Sequence, residues 1–356
     1  MRKLSFFIAI TLLALAVAYS QRGSIALALL PNLTERVMTA DATENFVDGL
    51  HITLCGAGGP LPDPERSGPC VAVVAGKQLL VVDAGTNGVR NLARLRYPVG
   101  EIEAVFLTHF HSDHIDGLGE LATLRWVQGN NTAPLPVYGP TGLAAVVDGF
   151  NQVYAHDSIH RNDHHGDSVT PISGHGMVAT TFPLPDAGAA TTVYERDGVT
   201  VQMIATDHFP VTPAVAYLFS YGGRQVLISG DTNKSATVEH YAKGIDLLVH
   251  EALSPTLVKT MAAASGRVGN TSLTKIMVDI LDYHASPVEA AETARDAGVG
   301  HLLYYHVVPP LVLPGSEAVW LEGVDEIFSD YTLGRDGSSF SLPANSKDII
   351  QNRSSL

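Results

Sequence analysis

Within seven residues, Thr108-His109-Phe110-His111-Ser112-Asp113-His114, the chain sets three imidazoles and a carboxylate. Packed in an apolar interior, each would be a buried polar group without a partner, whereas a bound cation satisfies them together. In a tight turn, alternate residues project toward one point, so His109 and His111 can share one ion while Asp113 and His114 face a second. Nitrogen and carboxylate donors without a thiolate suit Zn²⁺, with Mn²⁺ or Fe²⁺ as alternatives. Cys55 and Cys70 lack the CxxC spacing of a thiolate site. They either pair across a Gly/Pro-rich loop or serve as small buried apolar residues.

The elements that must position these groups are visible as short β-branched runs at residues 51–54, 71–75, 79–82, 104–108, 201–205, 214–220, 225–229, 245–249 and 301–305, which the pattern predicts as buried strands. Helical periodicity is expected at 118–126, 143–154, 256–263 and 286–296, the last opened by Ser286-Pro287 as cap and first helical residue. This alternation predicts an α/β layered fold. His208, Asp231, His250 and His306 each follow a predicted strand, at the carboxyl end where open α/β sheets bind ligands. Five strands thus aim chemically apt side chains at one rim. Residues 155–190 are polar, Gly-rich and aperiodic, and are expected as an excursion from the core, a lid over the site.

The turn His109, His111, Asp113, His114, with His208, Asp231 and His306 downstream and the early strand end Val82-Asp83-Ala84-Gly85-Thr86, resembles the metallo-β-lactamase superfamily. Details are closest to its ribonuclease Z and arylsulfatase-like branch: Gly230-Asp231-Thr232, His250-Glu251-Ala252, and His284 in a Tyr-His-Ala-Ser-Pro turn. The resemblance implies a four-layer αββα sandwich over residues 45–343, followed by a polar tail, 344–356. It implies that His109, His111 and His208 hold one divalent ion, that Asp113, His114 and His306 hold another, and that Asp231 bridges them. Two cations side by side make a shared water acidic enough to serve as a bridging hydroxide nucleophile. By the same resemblance His284 protonates the leaving oxygen, Asp113 orients the water or accepts its proton, and Glu251 orients His284. Arg161, His164 and His165, in the excursion, are candidates to meet an anionic substrate group.

Lys and Arg total 22 against 36 Asp and Glu, a formal charge of −14, so the surface field should repel polyanions. The long basic arm that clamps RNA in tRNA-processing relatives has no counterpart between His208 and Asp231. Nucleic acid is therefore expected to be an unlikely partner. The leading expectation is a hydrolase of small anionic esters, sulfate esters or phosphodiesters. A lactone, thioester or β-lactam hydrolase, a ribonuclease Z-like nuclease and a non-catalytic metal-binding protein are the alternatives, and a homodimer is common among similar proteins. Arg2 and Lys3 precede an almost unbroken apolar run over residues 4–19, which has the charged start and apolar middle of an export signal. A second apolar stretch, 25–30, leaves retention as a membrane anchor open. The expected address is periplasmic or secreted, or the inner membrane if residues 1–30 are kept.

Overall fold

The computed structural model describes residues 2–352, which fall into two compact units divided after Glu44. In the first unit, helices α1 (Arg2–Ser20) and α2 (Arg22–Thr39) leave their apolar side chains in solvent. The stretch Lys3–Ser20 is long and apolar enough to cross a membrane.

The second unit contains two sheets. The first runs in the order β15-β14-β1-β2-β3-β4-β5-β6, made of β1 (Gly49–Gly56), β2 (Cys70–Ala75), β3 (Gln78–Val82), β4 (Ile102–Phe106), β5 (Leu135–Pro140), β6 (Met177–Phe182), β14 (Ser339–Pro343) and β15 (Ile350–Asn352). The second runs β13-β12-β11-β10-β9-β8-β7, from β7 (Ala190–Arg196), β8 (Val199–Ala205), β9 (Val215–Tyr221), β10 (Arg224–Ile228), β11 (Leu247–Leu253), β12 (His301–Val308) and β13 (Tyr331–Leu333). Each sheet is mixed: antiparallel hairpins form one part, and parallel pairs, β3-β4-β5-β6 and β10-β11-β12-β13, form the rest.

Alternate residues of the strands meet between the sheets, where Ile52, Val73, Phe106, Met203, Phe219 and Ile228 are fully buried. The opposite face of the second sheet packs on α7 (Ala236–Tyr241), α10 (Pro287–Ala297) and α11 (Ser316–Trp320) through Leu218, Leu248, Ala291 and Trp320. The first sheet is covered by α3 (Gly88–Arg94), α5 (Leu118–Gly129) and α6 (Leu143–His165), with the one-turn α4 (Ser112–Ile115) between α3 and α5 in the chain. A helical pair, α8 (Pro255–Arg267) and α9 (Thr271–Asp279), closes over Leu253 and Val308. This is the four-layer αββα sandwich: β1, β2, β3 and β11 are buried along their whole length, because each sheet has the other sheet on one face and helices on the opposite one.

Several expectations change. Residues 155–165 are not an irregular lid but the last three turns of α6, and 177–182 form the edge strand β6. Periodicity misses both because a surface helix with only Leu143, Val147 and Ser158 buried, and an edge strand with only Met177 buried, have little apolar pattern to show. Within the stretch expected as a polar tail, Ile350–Asn352 pairs with β14. Cys55 and Cys70 form a disulfide between β1 and β2.

Candidate metal centre

The carboxyl ends of β4, β8, β10 and β12 share one edge of the sandwich, and these four strands deliver donor side chains there. After β4, the turn carries His109 and His111, and α4 carries Asp113 and His114. His208 follows β8 and Asp231 follows β10, at the turn where Gly230 holds φ +59. A Cβ at Gly230 would press on the Val215 carbonyl and on Thr108, so this close crossing of two sheets needs glycine. His306 lies inside β12, not past it. The register slips there, with Glu251 opposite Tyr305 and Ala252 opposite Val307, and His306 takes φ +44. The extra residue is a bulge, which re-aims one side chain toward the edge.

Three groups of donor atoms result: His109, His111, His208 and Asp231; Asp113, His114 and His306; and Asp231, His284 and His306. Zinc in tetrahedral sites holds N and O donors at roughly 2.0–2.2 Å, which places neighbouring donors roughly 3.3–3.6 Å apart. Here His109 Nε2 and His111 Nδ1 are 3.0 Å apart, and Asp231 Oδ2 lies 3.7 Å from His109 Nε2 and 3.8 Å from His208 Nε2. In the second group Asp113 Oδ2 is 3.3 Å from His306 Nε2 and 3.7 Å from His114 Nε2. Asp231 spans both groups, with Oδ1 3.3 Å from His114 Nε2 and Oδ2 3.4 Å from His306 Nε2.

The chemistry of the set fits a cation. His114 Nε2, His208 Nε2 and Asp231 Oδ1 are buried without a hydrogen-bond partner, so they converge without satisfying one another. Among the described residues, no Lys or Arg pairs with Asp83, Asp113 or Asp231. Burial alone would hold His114 neutral, but Asp231, Asp83 and Asp113 outweigh it and raise its pKa well above the usual value, which marks a place that demands positive charge. Burial pushes His208 down to about 4, and burial together with His114 pushes His109 well below the ordinary histidine range. Neutral imidazole is the ligating form.

Outer hydrogen bonds fix the rings. Asp83, at the end of β3 with φ +57, takes His114 Nδ1 at 2.8 Å and both the amide and hydroxyl of Thr108 at 2.8 Å. His208 Nδ1 donates to the Tyr283 carbonyl at 2.8 Å. Asp83 entered the sequence argument only as a strand-end marker. Its signal was the one used for the other residues, a carboxylate just past a strand. The disulfide closes the loop 56–69 against the same edge, where Gly68 and Gly85 pack on the Asp113 carbonyl so tightly that a Cβ on either would collide.

Beside the donors, Glu251 Oε1 accepts from His284 Nδ1 at 3.0 Å, from the Thr232 amide at 3.1 Å and from the Ala285 amide at 3.3 Å. Burial lowers the His284 pKa and, with Asp231 nearby, raises that of Glu251. His250 parts company with its neighbour. Successive residues of β11 face opposite sides, so Glu251 joins the metal edge and His250 enters the helix-side layer, where its Nδ1 donates to the Glu251 carbonyl. Arg161, His164 and His165 are not brought to the centre. They lie on α6, Arg161 pairs with Asp157 at 2.7 Å, and none contacts the His/Asp cluster. The anion-binding role expected of them has no geometric support, because the stretch that was to fold over the site is a helix on the outer layer.

A beta-lactamase superfamily domain matches residues 79–307. The ribonuclease Z of Mycobacterium bovis (strain BCG / Pasteur 1173P2) is 38% identical over 275 residues, covering 76% of this chain and 90% of the relative. That of Mycolicibacterium paratuberculosis is 36% identical over 273 residues, with the same coverages. Among solved structures, the human short-form tRNase Z superposes with a TM-score of 0.60 at 19% identity, over 82% of this chain and 99% of the other. A metallo-β-lactamase fold protein of Bacillus subtilis gives 0.58 at 20% identity, over 82% and 99%. These relatives correct the expectation that nucleic acid is an unlikely partner, since a protein named as a ribonuclease is 38% identical to this chain over the aligned residues, which cover 90% of its length. Net charge is summed over the whole surface and does not report the local field at a site built to hold cations.

Proposed function

The chain belongs to the metallo-β-lactamase superfamily, among ribonuclease Z relatives, and is a metal-dependent hydrolase of ester bonds; from that premise we propose that it cleaves phosphodiesters, RNA among them. The observation that carries the reading is the pairing of His284 with Glu251 beside a two-group donor cluster, in a chain 38% identical to a ribonuclease Z. The proposed ligands are His109, His111 and His208 for one divalent ion and Asp113, His114 and His306 for a second, with Asp231 shared; zinc suits this donor set. When bound, two such ions supply an acidified water and neutralise charge that develops on phosphorus.

The remaining work falls to side chains. Glu251 holds His284 through Nδ1, which directs Nε2 toward the donor edge shared with Asp231 and His306, where it delivers a proton to the departing oxygen. Asp113 is the most open carboxylate of the set, with 12% of its side chain exposed, and accepts the proton given up by the attacking water. Thr232 and Ala285 donate amide hydrogen bonds to Glu251, so its orientation does not depend on substrate.

The proposed address lies outside the reducing cytoplasm. Supporting it are the Cys55–Cys70 disulfide, which persists in oxidising compartments, and the solvent-facing apolar helix Lys3–Ser20, which reads as an export signal or anchor. Cell fractionation with thiol labelling tests it: a reduced, cytoplasmic protein would refute it.

The activity is tested by assaying zinc-loaded protein on a structured RNA, a bis-aryl phosphate, an aryl sulfate and a lactone. Turnover of the RNA and the phosphate diester is expected. Hydrolysis of the sulfate ester or lactone with neither diester touched would overturn the reading.

A further inference from the structure

Beside the metal edge lies a cavity of about 420 Å³ whose walls include Pro210, Val211, Ile276, Ile280 and Tyr283. We propose that this groove is a base-binding subsite, which seats the planar nucleobase next to the scissile phosphate; the inference rests on the phosphodiesterase reading above.

Continuity with the reacting centre comes first. The Tyr283 ring stands 4.7 Å from the His284 ring and 4.6 Å from that of His208, centroid to centroid, and its carbonyl fixes His208 Nδ1. A group seated in the groove is therefore within one nucleotide of the phosphate held at the donor cluster. The second observation is exposed apolar surface. Ile276 on α9, in the groove wall, leaves 53% of its surface in solvent, and Phe209, next in the chain to the wall residue Pro210, leaves 75%. Apolar surface clustered beside a polar centre marks a place where a ligand, not water, completes the packing.

Charge decides which part of the substrate fits. Asp279 and Asp282 line the groove; Lys275 neutralises Asp279 at 2.7 Å, while the Asp282 carboxylate has no partner among the described residues. A negative rim repels phosphate, so the anionic group goes to the cations and the neutral, flat part of the nucleotide goes to the groove. Aromatic faces accept any base, because every base offers a π-face and stacking does not read its hydrogen-bonding edge. The subsite should therefore tolerate sequence and demand only that a base be present.

The experiment compares equilibrium binding of a ribonucleoside 5′-monophosphate with that of ribose 5-phosphate, by calorimetry, and cleavage of a short RNA with that of the same RNA made abasic beside the cut. Wild-type protein should favour the base-bearing partner by about fivefold to a hundredfold in both measurements, the range that one stacked base gives. Tyr283→Ala and Ile276→Ser should each shrink that ratio, and Tyr283→Phe should keep it, with metal content unchanged in all three. Equal binding of the two ligands by wild type, or a ratio unmoved in both Tyr283→Ala and Ile276→Ser, overturns the subsite. So does a result in which these variants alter only the oligomeric state, since the groove would then be a contact between copies of the chain. Failure to cleave any phosphodiester would instead sink the underlying activity, a result the binding ratio does not share.

Discussion

Two histidine-rich regions of this protein look alike in sequence and differ completely in space. Residues 109–114 supply imidazoles that are buried or half-buried, joined by His208, His284 and His306 from distant strands. His156, His160, His164 and His165 lie along α6 with their side chains in solvent. The first region sits where strands end, so each ring meets carboxylates and other rings from elsewhere in the chain. The second sits on a helix that crosses no strand end, and its partners are its own neighbours: His156 faces His160, and Arg161 pairs with Asp157. A concentration of metal-binding residue types becomes a site only where tertiary structure brings ligands of separate origin to one point and removes water from them.

Substitutions can break or sharpen that contrast. The largest effect is expected from Asp231→Ala, which removes the one carboxylate that reaches both donor groups; turnover should fall to background, and elemental analysis should find less bound metal. Retention of full metal content would show that the two groups bind ions independently. Next comes His284→Ala, expected to slow turnover by about 10²- to 10⁴-fold, the usual contribution of a positioned proton donor. Metal content should stay constant; if it falls as well, His284 belongs with the ligands, an arrangement its closeness to Asp231 and His306 allows.

A smaller loss is expected from Asp83→Asn, which keeps the size of the side chain but weakens its hold on His114 Nδ1. Metal affinity should drop by roughly 10- to 100-fold, as is usual for a group that orients a ligand, and a chelator titration would measure it. An unchanged affinity would mean that the Asp83 carboxylate does not orient His114 for the ion. The smallest effect is expected on α6. Arg161→Ala and His160→Ala should shift stability by within about 0.5 kcal/mol, as exposed substitutions do, and leave metal content as it was. A clear loss of metal there would erase the distinction between the two regions.

The same contrast shows what could be read before folding. The turn from His109 to His114 was legible because its residues are near neighbours, and no rearrangement of distant elements can separate them. His208, Asp231 and His306 were legible as residues at strand ends, and Glu251 and His284 only through resemblance to a family, since the two are 33 positions apart. Asp83 was visible but had no stated task, because its partner His114 is 31 positions away and nothing local announces the pair. The excursion at 155–190 was misread where burial, the source of periodicity, is weakest.

By itself the sequence determined the local chemistry and the alternation of apolar residues, and these suffice for a layered sandwich with a metal-binding turn at one edge. Only the tertiary structure decided which strand-end residues join that turn. One bulge sends His306 inward, and the two-residue period of β11 sends Glu251 to the donor edge and His250 away from it. The reason is geometric: a single-residue change of register reverses the face that a side chain occupies, and register is settled by packing between strands far apart in the chain.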